Sequence, residues 1–290
     1  MIVCQRCHQR FPVVNGVVRF TADAEDPLAR RTQASFGYEW TYFDDWRESG
    51  ASNFRDYFAG IDLDSLRDVR ALDAGCGMGR HARQLAPFVL QLVAADFSRA
   101  IDAAARNTRD VPNLLCVQGD LMKLPAADGA YDFVYCFGVV HHLSDTESAV
   151  KILASKLRPG GRLRLYLYWR RFGWAGVALR IVDLVRAVTT RLPFPLLRML
   201  CWPLSAALFA GVITPYRMLA RIGVPISPNA PLFVYTQYPF RILYNDQFDR
   251  FSAPLEKRYT QTEARAIAAA AGLRDIRVQP RFGWLVDGYR

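Results

Sequence analysis

Between Val69 and Tyr168 the chain alternates short apolar runs with amphipathic stretches, and this order limits the fold more than any other feature. Val69–Asp73, Leu90–Asp96, Leu114–Gln118, Tyr131–Phe137 and Arg162–Tyr168 read as strands, each apolar enough to be covered on both faces. Helices are expected from Gly79 to Pro87, from Ser98 onward, and from Asp145 to Leu157, ending before Pro159-Gly160-Gly161. Farther on, a helix from Thr262 to Ala271 ends at Gly272, and two last strands centre on Ile276 and Leu285. Strand and helix in turn build a mostly parallel sheet with helices on its faces, so the expected class is α/β.

Other pieces flank and interrupt this core. Residues 1–20 read as a small β extension turning at Asn15-Gly16, followed by a polar linker, Thr21 to Arg31. An aromatic arm at 35–66 follows, with Phe36, Tyr38, Trp40 and Trp46 among its rings. Residues 169–255 differ in composition and form an insert after the fifth strand. The division is thus 1–34, 35–66, a core of 67–168 with 256–290, and the insert.

Charge is concentrated in a stretch that runs from the end of the core into that insert. The net charge is +10, and Arg158 to Arg221 holds eleven arginines, no lysine and one acid, Asp183, so the rest of the chain is neutral. A general nucleic-acid footprint therefore explains the charge less well than a special segment. Trp174 to Leu192 sets Val177, Ile181, Leu184 and Val188 on one helical side, with Arg180 and Asp183 on the other. Met199 to Tyr216 is eighteen residues without charge, the lower limit for a membrane span, but Pro203 and Pro215 argue against one continuous helix. Three uses of the insert stay open: a span, a membrane-surface face, and an internal cap or homodimer contact. At 51% hydrophobic residues the chain has ample core, and six scattered cysteines do not make a disulfide framework. With no signal-peptide stretch in MIVCQRCHQRF, a cytoplasmic protein, or one peripheral at the membrane, is expected.

The loop Asp73-Ala74-Gly75-Cys76-Gly77-Met78-Gly79 joins a strand to a helix, where glycine lets a ligand lie against bare backbone. A dinucleotide fingerprint needs glycine where Arg80 stands, so a phosphate cradle is excluded. With its acid at the strand end, the loop resembles that of the Rossmann-like, class I S-adenosylmethionine-dependent methyltransferases. The resemblance runs through five ordered motifs over 69–168 and implies that family's sheet, with its last strand antiparallel. It implies S-adenosylmethionine as cofactor and S-adenosylhomocysteine as product. Asp73, Gly75, Cys76 and Gly77 would line the cofactor, Asp96 would accept from both ribose hydroxyls, and Phe97 would flank the adenine. Asp120 and Leu121, in Gln118-Gly119-Asp120-Leu121, match the adenine contact; Phe137 opens the segment Phe137–Leu143 that lines cofactor and substrate. Tyr38, in Ser35-Phe36-Gly37-Tyr38-Glu39-Trp40, would lie near the methionine end. Asp96 and Asp120 have the plainer reading of local caps. Arg80 and His81 read as surface residues, and Cys76, Cys116 and Cys136 as small core residues.

The same resemblance implies methyl transfer to a small acceptor, hydrophobic or lipid-like, with oxygen favoured. A hydroxyl acceptor needs a base, and His141 and His142 are the candidates. The family's orienting acid is replaced here by Tyr166-Leu167-Tyr168-Trp169, so Asp246 or Asp249 from the insert either supplies a carboxylate or is a plain loop acid. Cys4-x-x-Cys7 with Phe11–Val17 resembles half of the zinc ribbon that activates methyltransferases; with one cysteine pair and His8, no bound zinc is expected. Two alternatives are an RNA methyltransferase and a non-catalytic cofactor-binding partner protein. The first lacks the Asn/Asp-Pro-Pro-aromatic signature, since Cys136-Phe137-Gly138-Val139 stands there.

Overall fold

A computed structural model of the chain describes residues 1–5, 8–20, 26–45, 53–124, 126–227 and 230–290. Its strands are β1 (Ile2–Val3), β2 (Arg10–Phe11), β3 (Val13–Val14), β4 (Val17–Arg19), β5 (Arg70–Ala74), β6 (Gln91–Asp96), β7 (Leu114–Gln118), β8 (Tyr131–Phe137), β9 (Leu157–Leu167), β10 (Arg274–Pro280) and β11 (Trp284–Tyr289). The helices are α1 (Pro27–Tyr42), α2 (Arg80–Leu85), α3 (Ala100–Asn107), α4 (Thr146–Ser155), α5 (Gly173–Thr189), α6 (Phe194–Leu208), α7 (Thr214–Arg221), α8 (Phe240–Ser252) and α9 (Gln261–Ala270).

Nine of these strands form one sheet in the order β10-β11-β9-β8-β5-β6-β7-β4-β3. From β9 to β4 all neighbours are parallel, while β11 is antiparallel to both β9 and β10. Alternate side chains feed two cores. Leu72, Val134 and Leu165 meet Leu153 of α4 and Ile267 of α9 on one face. Ala71, Leu92 and Phe133 meet Leu85, Ile101 and the Phe54–Phe58 pair on the other. Burial on both faces is why these strands read as continuous apolar runs. The chain order reverses between β5 and β8, so a crevice opens at their carboxyl ends, where α/β sheets bind ligands.

The β extension does not stand apart. Asn15 and Gly16, both at positive φ, turn β3 into β4, and β4 pairs in parallel with β7 as part of the main sheet. Cys7 lies outside the described residues, so the ribbon reading stays an expectation.

Three local expectations are corrected. Residues 27–31 belong to α1, not a linker: Asp26 caps the helix by accepting from Ala29 N at 2.7 Å, and Pro27 opens it. Pro159-Gly160-Gly161 lies within β9, as a register shift opposite β8, instead of a turn before it. Pro203 sits inside α6, and α6, a π-helical turn at 209–213 and α7 follow one another as a helical run from Phe194 to Arg221. Pro203 is exposed, so water can satisfy the carbonyl that its missing N–H leaves free. By length and composition this run could cross a membrane. Its inner side nevertheless packs into the protein, with Leu197 and Cys201 against Tyr244 and Phe248 of α8, and Ile213 against Tyr235 and Leu243.

Candidate cofactor and acceptor site

The loop after β5 is tied to its neighbour strand at three points. Gly75 N and Cys76 N donate to Ala95 O at 2.7 and 3.0 Å, and Gly77 N donates to Asp96 Oδ2 at 2.8 Å. The other Asp96 oxygen accepts from the backbone N and hydroxyl of Ser98 at 2.8 and 2.7 Å. Burial raises the Asp96 pKa, and these bonds work against the rise. Asp96 therefore does cap the following turn: Oδ1 is fully used by Ser98, and Oδ2 keeps one lone pair for a ligand hydroxyl. A Cβ on Gly75 (φ +87°) would stand 2.2 Å from Val139 Cγ2, and one on Gly77 would meet the Trp40 indole at 3.4 Å. Close approach by Val139 thus demands glycine at 75, while at 77 the positive φ favours it.

The other cofactor candidates divide. Asp73 is buried and accepts from Tyr135 Oη at 2.9 Å; burial pushes its carboxyl up to about 8. Asp120 Oδ1 accepts from Met122 N at 2.9 Å, the local cap the sequence left open, while Leu121 packs in the core. Cys76, Cys116 and Cys136 are buried as expected of core residues. Phe97 is half-buried, and its carbonyl accepts from Gln33 and Gln118. Phe137 packs against Tyr57, Phe58 and His81. Tyr38 instead joins an aromatic cluster with Phe194 and Phe248 on the insert side. Two other α1 residues reach the loop region: Trp40 over Gly77, and Gly37 against Ser98 and Arg99. His81 is no surface residue; it is buried among Tyr57, Phe58 and Phe137. Arg80 is half-buried, with its guanidinium 5.0 Å from the Trp40 ring.

Both candidate bases are buried. His142 Nδ1 donates to Leu255 O at 2.6 Å, and burial draws its pKa down to about 4. His141 is fully buried, and among the described residues neither nitrogen makes a hydrogen bond of good geometry; burial first, then His142, holds its pKa well below the usual range, with the Tyr166 backbone acting against them. Its ring lies 4.0 Å from that of Tyr168, whose hydroxyl donates to Asp249 Oδ2 at 3.4 Å. The insert thus does bring a carboxylate toward the histidines, through Tyr168. Asp246 accepts from Tyr235 Oη at 2.7 Å. Glu39, unremarked in the sequence, is buried in α1; burial, then Asp249 and Asp246, raise its pKa well above the ordinary value. Among the described residues, most buried atoms without a hydrogen bond of good geometry lie in these same elements: Glu39 Oε2, both His81 and His141 nitrogens, Asn245 Oδ1, Gln247 Nε2 and Asp249 Oδ1. Such atoms are costly unless something completes them, so this donor set fits a polar, cationic ligand. A charged residue inside the aromatic run Phe36–Trp40 was the signal that could have flagged Glu39. Among the described residues no cluster of His, Cys, Asp or Glu suits a metal ion.

This sheet order, the glycine loop at its switch point and the acid ending the next strand define a class I S-adenosylmethionine-dependent methyltransferase domain. Residues 72–165 match the family model described as a methyltransferase domain. The uncharacterized methyltransferase YcgJ of Bacillus subtilis is 31% identical over 99 residues, 33% of this chain and 39% of that protein. Demethylmenaquinone methyltransferase of Beutenbergia cavernae is 34% identical over 94 residues, 32% of this chain and 38% of that protein. The chain spans between a quarter and just under half of the length of the curated relatives it matches. Human N-acetylserotonin methyltransferase, solved with S-adenosylmethionine, shares the fold at a TM-score of 0.54 and 14% identity, over 92% of this chain and 60% of that one.

Proposed function

We propose that the protein transfers the methyl group of S-adenosylmethionine to oxygen of a small apolar acceptor. The observation that carries this reading is the set of buried, unpartnered polar atoms contributed by α1, α2, α8 and the turn after β8. Bound S-adenosylmethionine would supply a methyl group on a sulfonium, already a good leaving group. The chain's own part is then alignment and the management of one proton. Asp96, Gly75 and Gly77 hold the ribose side; Asp73 and Glu39 are the acids available to a cationic ligand.

His141 is the base in this reading. Burial keeps it neutral at working pH, so its lone pair is available to take a hydroxyl proton. His142, fixed by Leu255, holds the turn that carries it. The aromatic rings of Tyr57, Tyr166 and Tyr168, packed on one another beside His141, favour an apolar acceptor, and the B. cavernae relative is named for demethylmenaquinone. RNA fits less well, because much of the basic stretch is engaged within the protein: Arg162 and Arg164 with Asp287, Arg186 with Glu256, Arg217 with backbone carbonyls. The test is incubation with methyl-labelled S-adenosylmethionine and either a lipid-soluble extract or total RNA. Label in the organic phase, lost in His141→Ala, supports the reading. Label in RNA overturns the acceptor class, and cofactor binding without label in either favours the non-catalytic alternative.

A further inference from the structure

Helix α5 is built inside out. Polar residues of its C-terminal half face the protein: Arg186 is buried, donates to Ala253 O at 2.6 Å and pairs with Glu256 at 3.3 Å, and Thr189 Oγ1 donates to Phe251 O at 2.9 Å. Its apolar stripe, Trp174, Val177, Ile181, Leu184 and Val188, faces outward, with Trp174 89% and Leu184 73% exposed. Such a stripe at helical spacing would ordinarily be the buried side. The outer side of α6 continues the pattern with exposed Met199, Leu200 and Trp202. Exposed apolar surface on this scale calls for a covering partner.

Charge indicates which one. A groove of about 700 Å³ at the start of α5 is lined by Arg170, Arg171, Arg180 and Arg258 beside Phe172 and Trp174. Its two acids are already engaged, Asp183 with Arg186 and Arg258, and Glu256 with Arg186 and Arg258. Arg180 makes no ion pair among the described residues, and exposed Arg191 follows the end of the same helix. An apolar stripe with arginines beside it and aromatic rings at one end suits a helix lying in the headgroup layer.

We propose that α5 docks the protein on an anionic lipid bilayer, with its stripe among the acyl chains and lipid phosphates at the Arg170–Arg180 groove. The proposal deepens the reading of an apolar acceptor and rests on it for its purpose: the acceptor would be drawn from the bilayer. The docking itself needs no cofactor, so its test is separate.

The full chain is floated with vesicles of phosphatidylcholine alone, or of phosphatidylcholine mixed with phosphatidylglycerol, at low and high salt. Binding is expected on the anionic vesicles, weakening with salt. Arg180→Gln and Arg191→Gln each reduce it by about fivefold. Trp174→Ser with Leu184→Ser abolishes it while the melting temperature holds, because both side chains are exposed. Inorganic phosphate at equal ionic strength does not compete beyond its salt effect. Several results overturn the proposal: no flotation, equal flotation on neutral vesicles, flotation untouched by the serine pair, or a lipid-free dimer that the serine pair dissociates and that does not float. Loss of the methyltransferase reading would leave flotation intact.

Discussion

The carboxylate of Asp96, at the end of β6, accepts the backbone N–H of Gly77 across the strand gap at 2.8 Å. One side chain thus joins the ribose side of the site to the loop that would carry the methionine side. Asp96→Ala removes this tie and the free Oδ2 acceptor on the ribose side together. S-adenosylmethionine affinity is expected to fall by about 2–4 kcal/mol, read by calorimetry. Unchanged affinity would remove Asp96 from the site.

Gly75 is held against Val139, so Gly75→Ala should act on stability before it acts on chemistry. Positive φ and the 2.2 Å approach together cost about 2–4 kcal/mol. Val139→Ala in the same chain should relieve part of this, giving a coupling of about 1 kcal/mol in a urea-unfolding double-mutant cycle. Additive losses would mean that Val139 is not the obstacle.

Stability of the ligand-free protein should fall as pH rises from 6.5 to 8. Asp73 is protonated in the fold up to about 8 but ionises from about 3.8 when unfolded, so its contribution is lost as pH rises through that interval. His142 acts oppositely: it is neutral in the fold down to about 4 but charged below 6.5 when unfolded, so its contribution is lost as pH falls through that interval. Above 6.5 only the acid of this pair still changes. Melting temperatures across pH should drop on that side, and Asp73→Asn should flatten the drop. A slope unchanged in that variant would clear Asp73.

Arg186 anchors α5 by its charge. Arg186→Ala leaves Glu256, 4% exposed at its side chain, with Arg258 alone, and should cost about 3 kcal/mol. Adding Glu256→Gln should recover part of it in the same urea titration. No loss in the single variant would show that the buried pair does not hold the insert.

The core was legible because its strands are buried on both faces and its helices carry ordinary end signals. Residues 70–74, 91–96, 114–118 and 131–137 lie where the apolar runs put them. The insert was less so. Apolar spacing located the α5 helix, but periodicity cannot say which side faces the protein, and here Arg186 goes inward while Leu184 goes out. At the site, motif positions pointed to Asp96 and the glycines. Glu39, Trp40 and His81 were missed or misread because their surroundings come from tertiary packing, Trp40 on Gly77 and His81 on Phe137, which no local pattern encodes.

Titration of S-adenosylmethionine into the purified full chain tests the central claim most directly. A single saturable site per chain, competed by S-adenosylhomocysteine and weakened in Asp96→Ala, is the predicted result. A folded protein that takes up neither compound would contradict it.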